Sequence, residues 1–153
     1  MTNQIHNKNI ETETVITSPI ELRQQISVSE QGKENILSSR NTVEDIFLGN
    51  DDRLIVIVGP CSIHDINAAK EYALKLLTLQ KEVEKSIFIV MRVYFEKPRT
   101  TVGWKGLISD PDMDNSLDVE KGLRQGRELL AWLAEKNIPT GTEALNPITP
   151  QYL

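Results

Sequence analysis

The sequence has little of what marks secreted, membrane-bound or nucleic-acid-binding proteins. It contains a single cysteine, Cys61, which excludes an internal disulfide and fits a reducing compartment. No apolar run approaches the roughly 20 residues that cross a bilayer, and the polar first residues lack the apolar core of a secretory signal. The net charge of −5 argues against general binding to nucleic acid. These absences predict a cytoplasmic protein with no membrane partner and no nucleic-acid partner.

What is present is ordinary globular composition with an uneven distribution of charge. The 153 residues are 39% hydrophobic and 25% charged, which is typical of soluble domains. Residues 1–53 carry a net charge of −4, whereas residues 87–107 carry +3. A short basic stretch in an acidic protein indicates a small anionic ligand rather than a polyanion.

The first 50 residues predict a polar arm followed by short helices. Residues 1–17 show no hydrophobic periodicity and are interpreted as a flexible arm. Ser18, Pro19 and Glu21 have the spacing of a helix start, and this helix is expected to end near Ile26. A second start is predicted at Asn41, with the helix closed by a glycine at position 49. Residues 1–50 therefore form one predicted unit, separate from residues 51–153.

The remainder predicts alternating strands and helices. The β-branched run over 54–59 is typical of a strand buried on both faces, and a second such strand is expected over 87–91. Asp65 is placed to cap the helix between them. A helix over 118–136 and a third strand at about 139–145 follow. This alternation predicts an α/β fold with a parallel sheet and right-handed crossovers.

Two segments follow strand ends, where parallel α/β folds collect their functional groups. Cys61 lies in the first, where it is either a thiolate ligand or a small buried hydrophobic residue. His64 beside it is interpreted as a hydrogen-bonding residue at the helix entry. Glu143, after the third strand, is either a carboxylate that positions a water or takes part in proton transfer, or a neutral surface residue.

The second segment, residues 92–106, predicts an anion site. Arg92, Lys97 and Arg99 are able to surround a phosphate or carboxylate, and Thr100 adds a hydroxyl donor. The alternative is a solvated surface loop, but that explains the charges without explaining the aromatic residues interleaved with them. Those aromatic residues are Tyr94, Phe95 and Trp104.

Three stretches together resemble one enzyme family. They are GPCSIHD at 59–65, MRVYFEKPRTTVGWKGLISDPDMDNS at 91–116 and TEALNPITPQYL at 142–153. They are similar to the type I, metal-dependent, feedback-regulated 3-deoxy-D-arabino-heptulosonate-7-phosphate (DAHP) synthases. The resemblance implies the first three β/α units of a (β/α)8 TIM barrel behind an N-terminal helical extension. It also implies the condensation of phosphoenolpyruvate with D-erythrose 4-phosphate, the first step of the shikimate pathway and of aromatic amino-acid biosynthesis.

The resemblance also implies roles for individual residues. Cys61 becomes a ligand of a divalent metal of the Mn, Fe, Co or Zn class, which polarises the aldehyde. Arg92 and Lys97 contact phosphoenolpyruvate, with Lys97 also suited to proton transfer, and Glu143 lies near the same substrate. Pro98, Arg99 and Thr100 hold the sugar phosphate.

Regulation and completeness follow from the same resemblance. Pro147, Ile148 and Pro150, with the N-terminal arm, are expected to contribute to an aromatic amino-acid inhibitor site, with tyrosine favoured, and the arm to contacts between like subunits. The family draws its other metal ligands from later strands, and Thr149-Pro150 predicts a helix that the chain begins without completing. We therefore expect a truncated enzyme whose 153-residue chain is inactive alone.

Two alternatives stay open at this point. One is a non-catalytic product of a broken or partial gene that at most associates with intact subunits. The other is a related condensing barrel such as an octulosonate synthase, against which the stretch over 93–106 speaks.

Overall fold

A computed structural model describes residues 13–99 and 101–153, so most of the predicted arm lies outside the described residues. The elements follow in the order α1 (Pro19–Gln25), α2 (Glu30–Leu48), β1 (Leu54–Val58), α3 (Ile66–Val83), β2 (Ile87–Arg92), α4 (Val119–Glu135), β3 (Thr140–Gly141) and a 3-10 turn (Thr149–Gln151). β1, β2 and β3 pair in parallel in that order. The predicted α/β class with a parallel sheet is confirmed.

The first helix forms as its capping residues predict. The Ser18 hydroxyl accepts a hydrogen bond from the Glu21 amide, and the Glu21 carboxylate accepts one from the Ser18 amide. This reciprocal box satisfies amides that the first turn of a helix leaves unpaired. The helix ends at Gln25, with Ile26 as its C-cap, where the sequence places the end.

The prediction for the second helix was wrong at its start. α2 begins at Glu30 and runs through Asn41, because Ser29 caps it and is itself held by α4. The Ser29 amide and hydroxyl donate to the Glu135 carboxylate at 2.8 and 2.6 Å. These two bonds join residues that are far apart in the sequence, and local sequence patterns cannot reveal such a pairing. The predicted end is confirmed, since Gly49 adopts the left-handed conformation with φ 76°.

The core lies between helices α3 and α4 and the face of β2 that they cover. Met91 on β2, Leu129 and Leu133 on α4, and Ala73 on α3 are fully buried there. Asp65 caps α3 as predicted, accepting from the amides of two first-turn residues. This packing fixes β2 against the two helices and thereby positions the groups at the carboxyl end of the strand.

Two strand predictions were wrong in part. β1 forms, but Leu54 and Ile57 are 70% and 65% exposed, so it is not buried on both faces. β1 is the edge strand of a three-stranded sheet, and no second layer covers either side chain within the described residues. β3 covers Thr140–Gly141 rather than 139–145, because the chain leaves the sheet after the bond from the Val93 amide to the Gly141 carbonyl.

The end of the chain also differs from its prediction. Thr149 is not a helix cap; it lies within a short 3-10 turn that has no side-chain cap. Asn146 fixes this turn instead, since its Oδ1 accepts from the amides of Ile148 and Thr149 at 2.9 and 2.8 Å. Among the described residues, no helix combines the length and the apolar character that a membrane crossing requires.

Candidate functional site

The carboxyl ends of β1 and β2 bring the predicted site residues together. Cys61 follows β1, Arg92 ends β2, and the bond from the Ile63 amide to the Tyr94 carbonyl ties the two following segments at 2.8 Å. Gly59 permits this approach, because a Cβ at that position would lie 2.7 Å from the Arg92 carbonyl oxygen. A side chain at position 59 would force the two strand ends apart.

Cys61 and Lys97 are in direct contact. The Lys97 Nζ lies 2.9 Å from the Cys61 Sγ, and the Arg92 Nη2 donates to the Cys61 carbonyl at 3.3 Å. The hydrogen bond from Lys97 lowers the pKa of the exposed Cys61 thiol, helped by the Lys97 charge and then by Arg92 and Arg99. The contact therefore favours the thiolate, which is the form that binds metals and attacks electrophiles. Cys61 is exposed, so the interpretation as a small buried hydrophobic residue is wrong.

Arg92 is held in a fixed orientation by the aromatic ring of Tyr94. Its guanidinium carbon lies 3.6 Å from the centroid of the Tyr94 ring. Its Nε is buried without a hydrogen-bond partner among the described residues. A stacked guanidinium is suited to bind a carboxylate or phosphate through its terminal N–H groups.

The loop that carries Lys97 and Arg99 is anchored at its base. Glu96 and Gly106 form an antiparallel bridge, and the Lys97 amide donates to the Lys105 carbonyl at 2.9 Å. At the tip, a Cβ on Gly103 would meet the Arg99 guanidinium at 3.1 Å, so Arg99 packs over that glycine. These contacts distinguish the segment from a freely solvated loop.

The aromatic residues of the segment explain its anchoring. Phe95 is 2% exposed in the core, and Trp104 is half-buried with its indole N–H donating to the Asp110 carbonyl at 2.6 Å. Pro98 and Arg99 are exposed beyond these anchors. Thr100, predicted to add a hydroxyl, lies outside the described residues.

Glu96 is a site residue that the sequence analysis missed. Its carboxylate accepts hydrogen bonds from the side-chain Nδ2 of Asn146 at 3.1 Å and from the Thr149 hydroxyl at 3.4 Å. Burial raises the Glu96 pKa most, the two hydrogen bonds oppose this, and the nearby charge of Glu143 raises it further. A lone acid within the basic segment was the available signal.

The other predicted residues lie beside this cluster. Glu143 is exposed and close enough to Glu96 to influence its pKa. Pro147 and Pro150 belong to the turn that Asn146 fixes, where the Pro147 carbonyl accepts from a glutamine side chain at 3.3 Å, and Ile148 is 64% exposed. The turn that carries the predicted inhibitor residues therefore contacts Glu96, but it does so through Asn146 and Thr149.

A metal site is only partly represented. In the described portion of the chain, no group of three or more His, Cys, Asp or Glu residues is arranged to hold a metal ion. Cys61 supplies one soft donor, whose pKa the hydrogen bond from Lys97 lowers, and transition metals take several protein ligands. The described residues do not make a metal site by themselves.

The fold and this cluster define an α/β protein in which two cationic side chains and a cysteine thiol gather at the carboxyl ends of parallel strands. The chain belongs to the DAHP synthetase I family, whose model matches residues 19–153.

Similar proteins agree with this assignment. The chain is 51% identical over 149 residues to the Tyr-sensitive phospho-2-dehydro-3-deoxyheptonate aldolase of Escherichia coli K12, covering 97% of this chain and 42% of that protein. It is 52% identical over 135 residues to the Phe-sensitive aldolase of the same strain, covering 88% and 39%. A solved structure of a phospho-2-dehydro-3-deoxyheptonate aldolase from Francisella tularensis SCHU S4 matches with a TM-score of 0.91 at 52% identity, covering 95% and 42%. The chain thus spans about two fifths of the length of these relatives.

Proposed function

We propose that this chain carries the substrate-anion half of a 3-deoxy-7-phosphoheptulonate synthase site. The reaction is the condensation of phosphoenolpyruvate with D-erythrose 4-phosphate, with release of phosphate, in the cytoplasm. The single observation that carries the proposal is the convergence of Lys97 and Arg92 on Cys61 at the strand ends. The names of the similar proteins support the reaction class.

Phosphoenolpyruvate fits the fixed cations. Its carboxylate and phosphate both need charged donors, and Arg92 offers a guanidinium that is stacked on Tyr94. Lys97 offers an ammonium, which is a better proton donor than a guanidinium. We assign phosphoenolpyruvate binding to both residues and proton transfer near the aldehyde to Lys97. Glu143, near Glu96, is proposed to border the same substrate.

The sugar phosphate is assigned to the exposed part of the loop. The Arg99 amide donates to the Lys97 carbonyl at 2.7 Å, which forms a tight turn around Pro98. This turn sets Arg99 beyond Lys97, and the exposed guanidinium is suited to a phosphate monoester. Thr100 is proposed to add its hydroxyl there.

Cys61 is proposed to provide one ligand of a divalent metal of the Mn, Fe, Co or Zn class. Such a metal supplies Lewis acidity toward a carbonyl when bound. The chain's own contribution is the Cys61 thiol, whose pKa is lowered by the hydrogen bond from Lys97. The remaining ligands are assigned to segments that the longer relatives possess in the rest of a (β/α)8 barrel, of which this chain would form the first three units.

A protection experiment tests the substrate assignment. Phosphoenolpyruvate bound at Arg92 and Lys97 covers Cys61, so it should slow alkylation of Cys61 by neutral iodoacetamide. Arg92→Ala should lose this protection, while Lys75→Ala, which removes a surface lysine paired with Glu71 on α3, should keep it. Equal alkylation rates with and without saturating phosphoenolpyruvate would refute the assignment.

We also propose that the isolated chain does not turn over substrate, because its described residues form no metal-ligand group. Phosphate release should stay at the level of a Cys61→Ala control in the presence of added Mn²⁺. Release above that control would overturn this proposal.

Regulation by an aromatic amino acid is a further part of the proposal. We assign tyrosine to a site bordered by Pro147, Ile148 and Pro150, with residues 1–50 providing contacts to the inhibitor and to a like subunit. The Tyr-sensitive and Phe-sensitive relatives are equally similar, at 51% and 52% identity, so overall identity does not choose between the inhibitors. Calorimetry that finds binding of tyrosine but not of phenylalanine supports the assignment, and the reverse preference contradicts it.

A further inference from the structure

The Glu96 carboxyl joins two parts of the chain that are far apart in sequence. It accepts from Asn146 Nδ2 at 3.1 Å and from the Thr149 hydroxyl at 3.4 Å. Asn146 Nδ2 also donates to the Thr149 hydroxyl at 2.8 Å, so the three side chains form one connected cluster. Thr149 is buried, and Glu96 and Asn146 are half-buried, so solvent competes only partly for these bonds.

Asn146 is used on both of its polar atoms. Its Oδ1 accepts from the amides of Ile148 and Thr149, and this fixes the turn over 146–149. Its Nδ2 reaches out of that turn to Glu96. The Asn146 side chain therefore holds the Glu96 carboxyl in a fixed place relative to the 146–149 turn.

The backbone of Glu96 lies at the base of the loop that carries Lys97. Phe95 on one side is held in the core, and Glu96 itself bridges to Gly106. The next residue is Lys97, whose amide donates to Lys105 and whose Nζ reaches the Cys61 Sγ at 2.9 Å. Rotation of the Glu96 peptide would carry the Lys97 side chain away from Cys61.

We propose that Glu96 is a positioning residue, which, through its bonds to Asn146 and Thr149, holds Lys97 against Cys61 and links the 146–149 turn to the anion site. This inference rests on the proposed function in one respect, namely that the positioned Lys97 binds substrate. The contact between Lys97 and Cys61 is measurable without substrate, so the positioning role is testable separately.

Four variants separate the bond between Asn146 and Glu96 from the bonds that fix the 146–149 turn. Glu96→Ala removes the acceptor, whereas Glu96→Gln keeps an acceptor oxygen for Asn146 Nδ2. Asn146→Asp keeps the Oδ1 that fixes the turn but loses the donor to Glu96 and places a second carboxylate beside it. Thr149→Ser retains the hydroxyl and is the matched control.

Two measurements report on whether Lys97 stays in place against Cys61. One is hydrogen exchange at the Lys97 amide, measured by NMR, and the other is the rate of Cys61 alkylation by iodoacetamide near neutral pH. We expect Glu96→Ala and Asn146→Asp to accelerate the exchange and to slow the alkylation severalfold, because the thiolate loses its lysine partner. Glu96→Gln and Thr149→Ser should stay close to the parent chain.

The outcomes distinguish positioning from simple stabilisation. If Glu96→Ala lowers the melting temperature but leaves both Lys97 readouts unchanged, Glu96 is only a structural residue and the proposal is wrong. If both readouts change as expected while phosphoenolpyruvate binds none of the variants nor the parent chain, the positioning role stands and the proposed substrate assignment fails.

Discussion

Gly106 offers the sharpest test of how the loop is held. It has φ 107°, and a Cβ there would clash with the Phe95 carbonyl oxygen and lie 2.6 Å from the Glu96 Cα. Gly49, at the end of α2, also has positive φ, 76°, but a Cβ there would meet no heavy atom within 4 Å. The pair therefore separates backbone strain from steric exclusion.

The expected magnitudes differ because only one site has a steric clash. Gly49→Ala adds the left-handed conformation alone, which costs about 1–2 kcal/mol. Gly106→Ala adds at least as much strain, because its φ lies further from the left-handed region that alanine can adopt, and it adds overpacking, which costs about a further 1–3 kcal/mol. The atoms that Gly106→Ala would meet belong to the backbone, so no side-chain rotation relieves the clash. The Glu96–Gly106 bridge must open instead.

Urea unfolding, followed by circular dichroism, measures the two losses in free energy of unfolding. Gly106→Ala should lose about 3 kcal/mol, roughly twice the loss in Gly49→Ala. Gly106→Ala alone should also slow the alkylation of Cys61, because the opened bridge displaces Lys97. Equal losses in the two variants, or unchanged alkylation in Gly106→Ala, would refute this account of the loop.

Three further predictions follow from the contacts. Lys97→Met should raise the Cys61 pKa and slow its alkylation near neutral pH, as followed by mass spectrometry; an unchanged rate would show that Lys97 does not activate the thiol. Glu96 has a raised pKa, so its protonated form favours the folded state, and this contribution is lost as pH rises above the ordinary glutamate value of about 4.3. Urea unfolding should therefore show Glu96→Gln gaining stability relative to the parent chain as pH rises through the mildly acidic range, and a constant difference would contradict the shift. Glu135→Ala should release Ser29 and accelerate amide exchange in the first turn of α2, whereas unchanged exchange would mean that this tie does not hold the helix.

Local signals predicted the parts of the fold whose causes are local. The capping box at Ser18, the Asp65 cap of α3 and the glycine end of α2 each depend on residues within one turn. The aromatic residues among the basic ones argued against a solvated surface loop, and in the structure Trp104 and Phe95 anchor the segment.

The misses have non-local causes. The start of α2 depends on Glu135, which is 106 residues away from Ser29. The exposure of β1 depends on what lies beside the sheet, since a run such as Leu54–Val58 has the same composition whether or not it is covered. The role of Glu96 depends on Asn146, 50 residues further along the chain. Neither periodicity nor capping rules contain such pairings.

Direct binding of phosphoenolpyruvate tests the central claim most directly. Isothermal titration of the 153-residue chain with phosphoenolpyruvate should give saturable binding. Arg92→Ala and Lys97→Ala should each weaken it about tenfold or more, as expected for the loss of a charged hydrogen bond. Lys75→Ala, which changes the net charge equally, should bind like the parent chain. Binding that is weakened equally by all three substitutions, or not at all by the first two, would contradict the assignment of the anion site to Arg92 and Lys97.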